Sequence, residues 1–415
     1  MSALKKQDSQ IAKLIDLETN RQKTTLQMIA SENHCSPAVR EALGSMLTDK
    51  YAEGYPGKRY YGGNEFIDMV ENLCIERAKK LFKVEYANVQ PHSGSPANMG
   101  VYLALCNAGD TILGMALDMG GHLTHGSKYS FSGKLFKSVQ YHVDEKTYLI
   151  NYDEVEKLAK ESKPRLMWVG FSAYPRILDW KRLGQIADSV GAYLAADIAH
   201  IAGLVAGGMH PSPVPYVHIV TTTTHKTLRG PRGGLIMVTK KGMEKDPDLG
   251  KKINKAIFPG IQGGPHENAI AAIAVCLKEA SSPAFKKYAK QILINAKALS
   301  EALKGYGFEI ISGGTENHLI LIDLRNKNIT GQAAQDLLES SGISTNRNSI
   351  PYDPAGPFKP SGLRLGTPAI TTRGMKEKEM KQIADWINEV ISSPASAKKV
   401  AGEIKKFCKK FPLPR

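Results

Sequence analysis

Short apolar runs, separated by stretches with helical spacing, recur between about residues 21 and 280. The clearest are Thr111–Met115, Leu166–Gly170, 192–196 and 217–220, with a shorter one at 86–90. Runs that are apolar at nearly every position predict strands buried on both faces. Their alternation with helical stretches predicts an α/β fold whose sheet is mostly parallel and covered on both sides. Ahead of them, Ile11, Leu14, Ile15 and Leu17 share one helical side, which predicts an N-terminal helical arm over residues 1–20. Ser281-Ser282-Pro283 breaks the helix before it and divides a large domain, 21–280, from a smaller C-terminal one, 281–415. The smaller domain is predicted to hold a long helix over 285–303, strands at 308–311 and Leu319–Asp323, a loop carrying Arg364, and a closing helix. That mixture makes it α+β. In the closing helix Val400, Ala401, Ile404, Phe407 and Phe411 alternate with lysines at roughly helical spacing. No internal repeat or low-complexity tract interrupts the pattern.

Composition narrows the classes. A chain of 415 residues with 42% hydrophobic content is long enough for two domains and a large core. The longest strongly apolar stretch, 269–277, is too short to span a bilayer. Residues 1–10 are polar and lack the apolar segment of a secretory signal. Five scattered cysteines, with no Cys-x-x-Cys pair, suggest reduced thiols and a cytoplasmic location. The formal charge of +15 raises nucleic-acid binding, but the lysines are spread along helices and no aromatic-interleaved basic motif accompanies them. A positive surface equally suits small anionic ligands. Neither nucleic acid nor membrane is expected as a partner.

Candidate chemistry gathers at the ends of the predicted strands. Thr221-Thr222-Thr223-Thr224-His225-Lys226 follows the run at 217–220 and precedes Gly230-Pro231-Arg232-Gly233-Gly234. Open α/β sheets place their chemistry just past the carboxyl ends of strands. A lysine delivered there is partly desolvated, so its amine loses a proton more readily and can form a Schiff base with a carbonyl. A solvated loop lysine is the alternative. Asp197, at the end of the run 192–196, argues against it. Pyridoxal phosphate needs an anion opposite its ring nitrogen, and a helix N-cap is the competing role for this aspartate. His200 follows three residues later, within reach of the cofactor's phenolic oxygen or the substrate. Ser93-Gly94-Ser95, between the strand at 86–90 and a helical stretch at 99–105, can turn backbone N–H groups toward a phosphate. In Gly120-Gly121-His122-Leu123-Thr124-His125-Gly126 an imidazole sits on a flexible loop, suited to stacking on a cofactor ring. A metal ligand is the other reading of that histidine, but no Cys/His/carboxylate cluster has convincing metal spacing, so no metal is expected.

These segments, together with Tyr51-Ala52-Glu53-Gly54-Tyr55-Pro56-Gly57-Lys58-Arg59-Tyr60-Tyr61-Gly62-Gly63 and Ser361-Gly362-Leu363-Arg364-Leu365-Gly366-Thr367-Pro368-Ala369, closely resemble serine hydroxymethyltransferase. The resemblance runs from about Asp16 into the last hundred residues. It implies an aspartate-aminotransferase-like fold with a seven-stranded-type sheet in a large pyridoxal-phosphate-binding domain. The implied assembly is a homodimer or dimer of dimers with shared active sites. The implied reaction moves a one-carbon unit between serine and tetrahydrofolate, leaving glycine and 5,10-methylenetetrahydrofolate, through an external aldimine of pyridoxal phosphate. On this likeness Lys226 holds the cofactor, Asp197 pairs with its ring nitrogen and His122 stacks on its face. Ser93, Gly94 and Ser95 bind phosphate, joined by Gly263 and Gly264 from the neighbouring subunit. His200, Ser172 and His225 border the phenolic oxygen and the reacting carbons, with Thr223 beside the lysine. Arg364 clamps the substrate carboxylate, for which its planar fork suits better than a lysine. Ser31, Tyr51 and Tyr61 complete the amino-acid pocket. Glu53 exchanges a proton near the hydroxymethyl group, a task favouring a raised pKa. Tyr60, Leu117, Gly121, Leu123 and Asn348 lie toward the pterin and its tail.

Some residues depart from the usual pattern. Pro96 stands where a glutamine is common. Arg229 brings an extra charge close to Lys226, where it can lower the lysine pKa or attract an acidic ligand. Lys128, Tyr129 and Tyr352 are unusual on the folate side. They leave two other classes open: a pyridoxal-phosphate aldolase that works without folate, and a protein that kept the fold and lost catalysis. Glu53, Tyr60 and Asn348 favour folate, and Lys226, Asp197 and Arg364 favour catalysis.

Overall fold

The buried apolar runs pair edge to edge into one seven-stranded sheet. Its strands are β1 (Tyr86–Asn88), β2 (Thr111–Met115), β3 (Lys137–Tyr141), β4 (Leu166–Gly170), β5 (Tyr193–Asp197), β6 (Ile219–Thr223) and β7 (Gly234–Val238). Their order in space is β1-β7-β6-β5-β4-β2-β3. Parallel ladders join β2 to β3, β2 to β4, β4 to β5 and β5 to β6. β7 is antiparallel to both β6 and β1. β4, β6 and β7 are buried along their whole lengths, as strands covered by helices on both faces must be. This computed structural model describes residues 3–356 and 359–414. Met1 and Ser2 of the predicted arm, and Pro357, Phe358 and Arg415 of the predicted C-terminal domain, lie outside the described residues.

Three boundaries differ from the sequence expectation in ways that matter for the site. β6 begins at Ile219 and runs to Thr223, so three of the four threonines belong to the sheet and not to a loop after it. Threonine is β-branched and suits a strand, provided its hydroxyl is satisfied when buried. Thr221 Oγ1 donates to Asn98 Oδ1 at 2.7 Å and Thr222 Oγ1 to the Thr223 carbonyl at 2.8 Å. β5 ends on Asp197 itself. The helix expected at 99–105 starts at Gly94, which places Gly94 and Ser95 in its first turn with Ser93 at the cap position.

A second layer has its own sheet and core. β8 (Glu309–Ile310), β9 (Leu319–Asp323), β10 (Asn346–Asn348) and β11 (Gly362–Gly366) pair antiparallel in the order β8-β9-β11-β10. Helices Pro283–Gly305, Gly331–Ser340, Glu377–Ser392 and Ala397–Cys408 bury Leu299, Leu338, Ile387 and Ile404 with Ile320, Ile322, Leu363 and Leu365 of that sheet. The N-terminal helix Ser9–Thr24 is capped by the Asp8 carboxylate, which accepts from the Gln10 and Ile11 amides. Its Ile11, Leu14, Ile15 and Leu17 remain exposed. Just past it, Leu26–Gln27 pairs parallel with Ile343–Ser344, so the chain entering the first layer is tied to the second. The carboxyl ends of β4, β5 and β6 therefore open toward β11, which carries Arg364.

Candidate active site

Lys226 lies three residues past β6, and its Nζ donates to Thr223 Oγ1 at 3.0 Å. Its carbonyl accepts from Asn33 Nδ2 at 2.8 Å and from the Arg229 amide at 2.9 Å. Asn33 is held in turn by the Tyr288 and Thr372 hydroxyls, both at 2.7 Å. Burial is the main influence on the amine and brings its pKa down to about 8. The Arg364 and Arg232 charges add to the fall, and Asp197 opposes it. The extra cation anticipated beside the lysine behaves differently. The Arg229 guanidinium sits over the rings of Tyr288 at 4.5 Å and Phe285 at 5.5 Å, and the charges that act on Lys226 are those of Arg364 and Arg232.

Asp197 faces this amine from the neighbouring strand. Its Oδ2 accepts from Asn98 Nδ2 at 2.8 Å and lies 3.3 Å from His125 Nε2, while Oδ1 accepts from the Ala199 amide at 3.0 Å. Burial works against its charge, but the bonds from His125 and Asn98 and the nearby His122 outweigh it. They hold the carboxyl well below the usual range. His122 Nδ1 is 2.7 Å from Thr124 Oγ1, and burial brings that imidazole down to about 4. His125 stacks against Trp168, with ring centres 5.2 Å apart. Donor atoms of His122, His125 and Asp197 lie within 4.8 Å of one another, a grouping that sequence spacing did not reveal. The sequence places Asn98 just ahead of the helix expected at 99–105 and His125 on a glycine loop, and spacing gives neither a link to Asp197.

Arg364 stands inside strand β11 and not on the loop expected for it, because Gly362–Gly366 pairs with β9 and β10, and it closes the pocket from there. Its Nε donates to Asn346 Oδ1 at 3.0 Å and its Nη1 to the Ser172 carbonyl at 2.6 Å. Burial alone lowers even this guanidinium to about 10. The Ser172 amide donates to the Gly120 carbonyl at 2.8 Å, which joins the ends of β4 and the glycine loop. His200 Nδ1 lies 3.2 Å from Nε2 of His318, a residue that sequence reasoning did not single out. Burial drives both imidazoles down, His318 to about 3, and it does the same to His225, whose Nδ1 has no hydrogen-bond partner. Ser31 follows Ala30, whose Cα lies where a side chain on Gly366 would come within 2.3 Å.

The donor set fits pyridoxal phosphate: one buried amine, one carboxylate kept ionised by two hydrogen-bonded neighbours, and a helix start with a free hydroxyl. Ser93 caps helix Gly94–Leu105 by position, yet its side chain makes no capping bond and remains available to a phosphate. Gly94 packs so tightly on β6 that a Cβ there would come within 2.7 Å of Thr223 Cγ2. At Gly121, a Cβ would stand 2.2 Å from the Met115 carbonyl oxygen.

Other expected residues form two separate groups. In the first, Tyr51 OH donates to Glu53 Oε1 at 3.2 Å, the Tyr51 and Tyr61 rings meet edge to face at 4.9 Å, and Tyr60 packs on Phe258. A Cβ on Gly263 would come within 3.0 Å of Glu53 Oε1, and one on Gly264 within 3.5 Å of the Tyr51 ring. Gln262 fastens this turn to the phosphate segment, donating to the Gln90 carbonyl and accepting from the His92 amide. Tyr51, Tyr60 and Tyr61 are exposed in the single chain. No hydrogen bond or ring contact joins Glu53 or the three tyrosines to Lys226 or Arg364 among the described residues. In the second group Leu117 and Asn348 line a cavity of about 760 Å³ with Lys128, Tyr129 and Arg347, and Leu123 stands exposed. Tyr352 donates to the Val143 carbonyl. A family model described as serine hydroxymethyltransferase matches residues 4–387.

Proposed function

The chain belongs to the serine hydroxymethyltransferase family, a family of pyridoxal-phosphate-dependent one-carbon transferases that interconvert serine and glycine, and from that membership we propose how its own residues divide the work. The one-carbon acceptor is tetrahydrofolate, giving 5,10-methylenetetrahydrofolate. Lys226 anchors pyridoxal phosphate. Its pKa near 8 leaves a useful fraction of neutral amine at neutral pH, which an ordinary lysine lacks. Bound there, the cofactor supplies an electron sink for bond cleavage at the α-carbon of an amino acid. With the cofactor bound, Asp197 would keep a proton on its ring nitrogen and His122 would stack against its face. Ser93, Gly94 and Ser95 take the phosphate. Arg364 orients serine by its carboxylate, with Ser31, Ser172 and His200 around it. His225 and Thr223 stand beside the amine.

The convergence of Lys226, Asp197 and Arg364 on one buried pocket, from two neighbouring strands of one sheet and a third strand of another, carries this reading. Glu53 moves a proton near the hydroxymethyl carbon, and Leu117, Leu123, Gly121, Asn348 and Tyr60 receive the folate. Tyr51, Glu53, Tyr61, Gly263 and Gly264 act on the site of a second copy, in a homodimer or dimer of dimers. The exposure of Tyr51, Tyr61 and Gly263 supports this, as do the individually exposed apolar side chains of Met46, Phe66 and Met69. The arm 1–20, the large domain 21–280 and the small domain 281–415 divide the chain, and the enzyme works in the cytoplasm. The test is tetrahydrofolate-dependent glycine formation from serine. Equal rates with and without the folate would favour an aldolase.

A further inference from the structure

Three carboxylates and one guanidinium lie beneath the hairpin next to the half-buried Glu53, and the proposed chemistry uses none of them. Arg59, on the hairpin strand Lys58–Arg59, is almost fully buried. Its Nε donates to Asp68 Oδ1 at 2.9 Å and its Nη2 to Glu71 Oε2 at 2.8 Å. Its Nη1 donates to the carbonyls of Ala52 and Gly54, at 2.8 and 3.0 Å, the residues on either side of Glu53. Gln90 Nε2 ties Gly54 and Glu71 together from below. Glu267 begins the helix that follows the Gly263-Gly264 turn, with its side chain wholly buried. It reaches only to within 4.0 Å of Arg59 Nη2, and neither of its oxygens has a hydrogen-bond partner.

Charge counting decides its state. One guanidinium already serves two carboxylates, so a third ionised carboxyl with no hydrogen bond would be an uncompensated buried charge. We propose that Glu267 keeps its proton and works through Arg59 as a positioning residue for Glu53 and for the Gly263-Gly264 turn. This inference rests on the reading that Glu53 serves the reaction. While neutral, Glu267 fills its place without drawing the guanidinium off Glu71 and the two carbonyls. Once ionised it competes for Arg59, and the hairpin carrying Glu53 loses its clamp.

The surroundings support the assignment. Burial pushes Glu267 up to about 8. Glu71 adds to the rise, Arg59 opposes it, Asp68 adds a little, and Lys50 opposes. Glu41 and Asp49, on the neighbouring short helices, are exposed, and Arg40 there is turned to the Cys35 and Pro414 carbonyls. His266 stacks on His92.

The experiment compares wild type with Glu267→Gln, a neutral isostere, as full-length holoenzymes. Serine turnover with tetrahydrofolate is followed across about pH 6.5 to 9.5, and thermal midpoints are taken near pH 5 and near pH 8.5. The wild-type kcat is expected to fall about tenfold by about pH 9, as one group titrates near 8, while Glu267→Gln keeps its rate and its serine KM is unchanged. Because the folded pKa exceeds the unfolded one, wild-type stability declines as pH rises toward 8. The variant should therefore melt higher than wild type near pH 8.5 and at the same temperature near pH 5. A variant that follows the wild-type pH profile, or melts identically at both pH values, overturns the inference. A tenfold loss of turnover in the variant at pH 7 does so too, because a neutral amide should replace a neutral acid. Undiminished turnover in Glu53→Gln would overturn the reading of Glu53 instead, and the melting comparison would still reveal whether Glu267 holds the proton.

Discussion

At the scale of single residues, the site depends on keeping unlike groups in opposite protonation states a few ångströms apart. Lys226 is kept easy to deprotonate, Asp197 is kept ionised, and the imidazoles around them are kept neutral by burial. The lysine pays for this in stability. Its pKa is lower in the folded chain than in the unfolded one, so charged Lys226 destabilises the fold below about pH 8, and the penalty fades as pH rises toward the ordinary lysine value. Lys226→Met should therefore stabilise the cofactor-free chain by up to about 3 kcal/mol near pH 7, with the gain shrinking above about pH 8 and nearly gone by about pH 10.5. Thermal denaturation at both pH values checks this, and a gain that does not change with pH would contradict it. For Arg364→Lys, the fork that bonds Asn346 and Ser172 is lost. The serine KM should rise at least about tenfold, while cofactor binding stays close to wild type. Steady-state kinetics and cofactor titration separate the two effects.

At the scale of elements, much was legible because the chemistry stands at the ends of buried strands. Thr111–Met115, Leu166–Gly170 and Leu319–Asp323 fall where their apolar runs predict. Edge strand Lys137–Tyr141 did not show itself, because a half-exposed strand with lysine, serine and glutamine lacks a continuous run. β6 was misjudged because threonine reads as polar until Asn98 is seen to satisfy it. Side-chain partners from distant elements, such as Asn33, Asn98, His125 and His318, cannot be read from spacing at all. The close seat of helix Gly94–Leu105 on β6 gives a prediction at this scale. Gly94→Ala forces a Cβ to within 2.7 Å of Thr223, so the helix start must shift. The expected cost is about 1–3 kcal/mol of stability, with weaker cofactor binding. A denaturant midpoint equal to wild type would mean that the helix yields freely.

At the scale of the whole molecule, the proposed site residues of one chain fall into separate groups. Lys226 and Arg364 lie in one, and half-buried Glu53 with the exposed Tyr51 and Tyr61 in another. If a second copy completes each site, inactive Lys226→Met and Glu53→Gln chains should complement when mixed and reassembled. Statistical mixing places both substitutions in one site of each mixed dimer and leaves the other site intact, so about a quarter of wild-type activity should return. No recovery, with mixed dimers demonstrated, would place Glu53 in its own chain's site. Beneath all of this lies the claim that the amine at Lys226 is the cofactor's anchor. The most direct test is to load the protein with pyridoxal phosphate, reduce it with borohydride and locate the pyridoxyl group by peptide mass mapping. The account predicts one modified peptide, with the label on Lys226. A label on another lysine, or none at all, would contradict it.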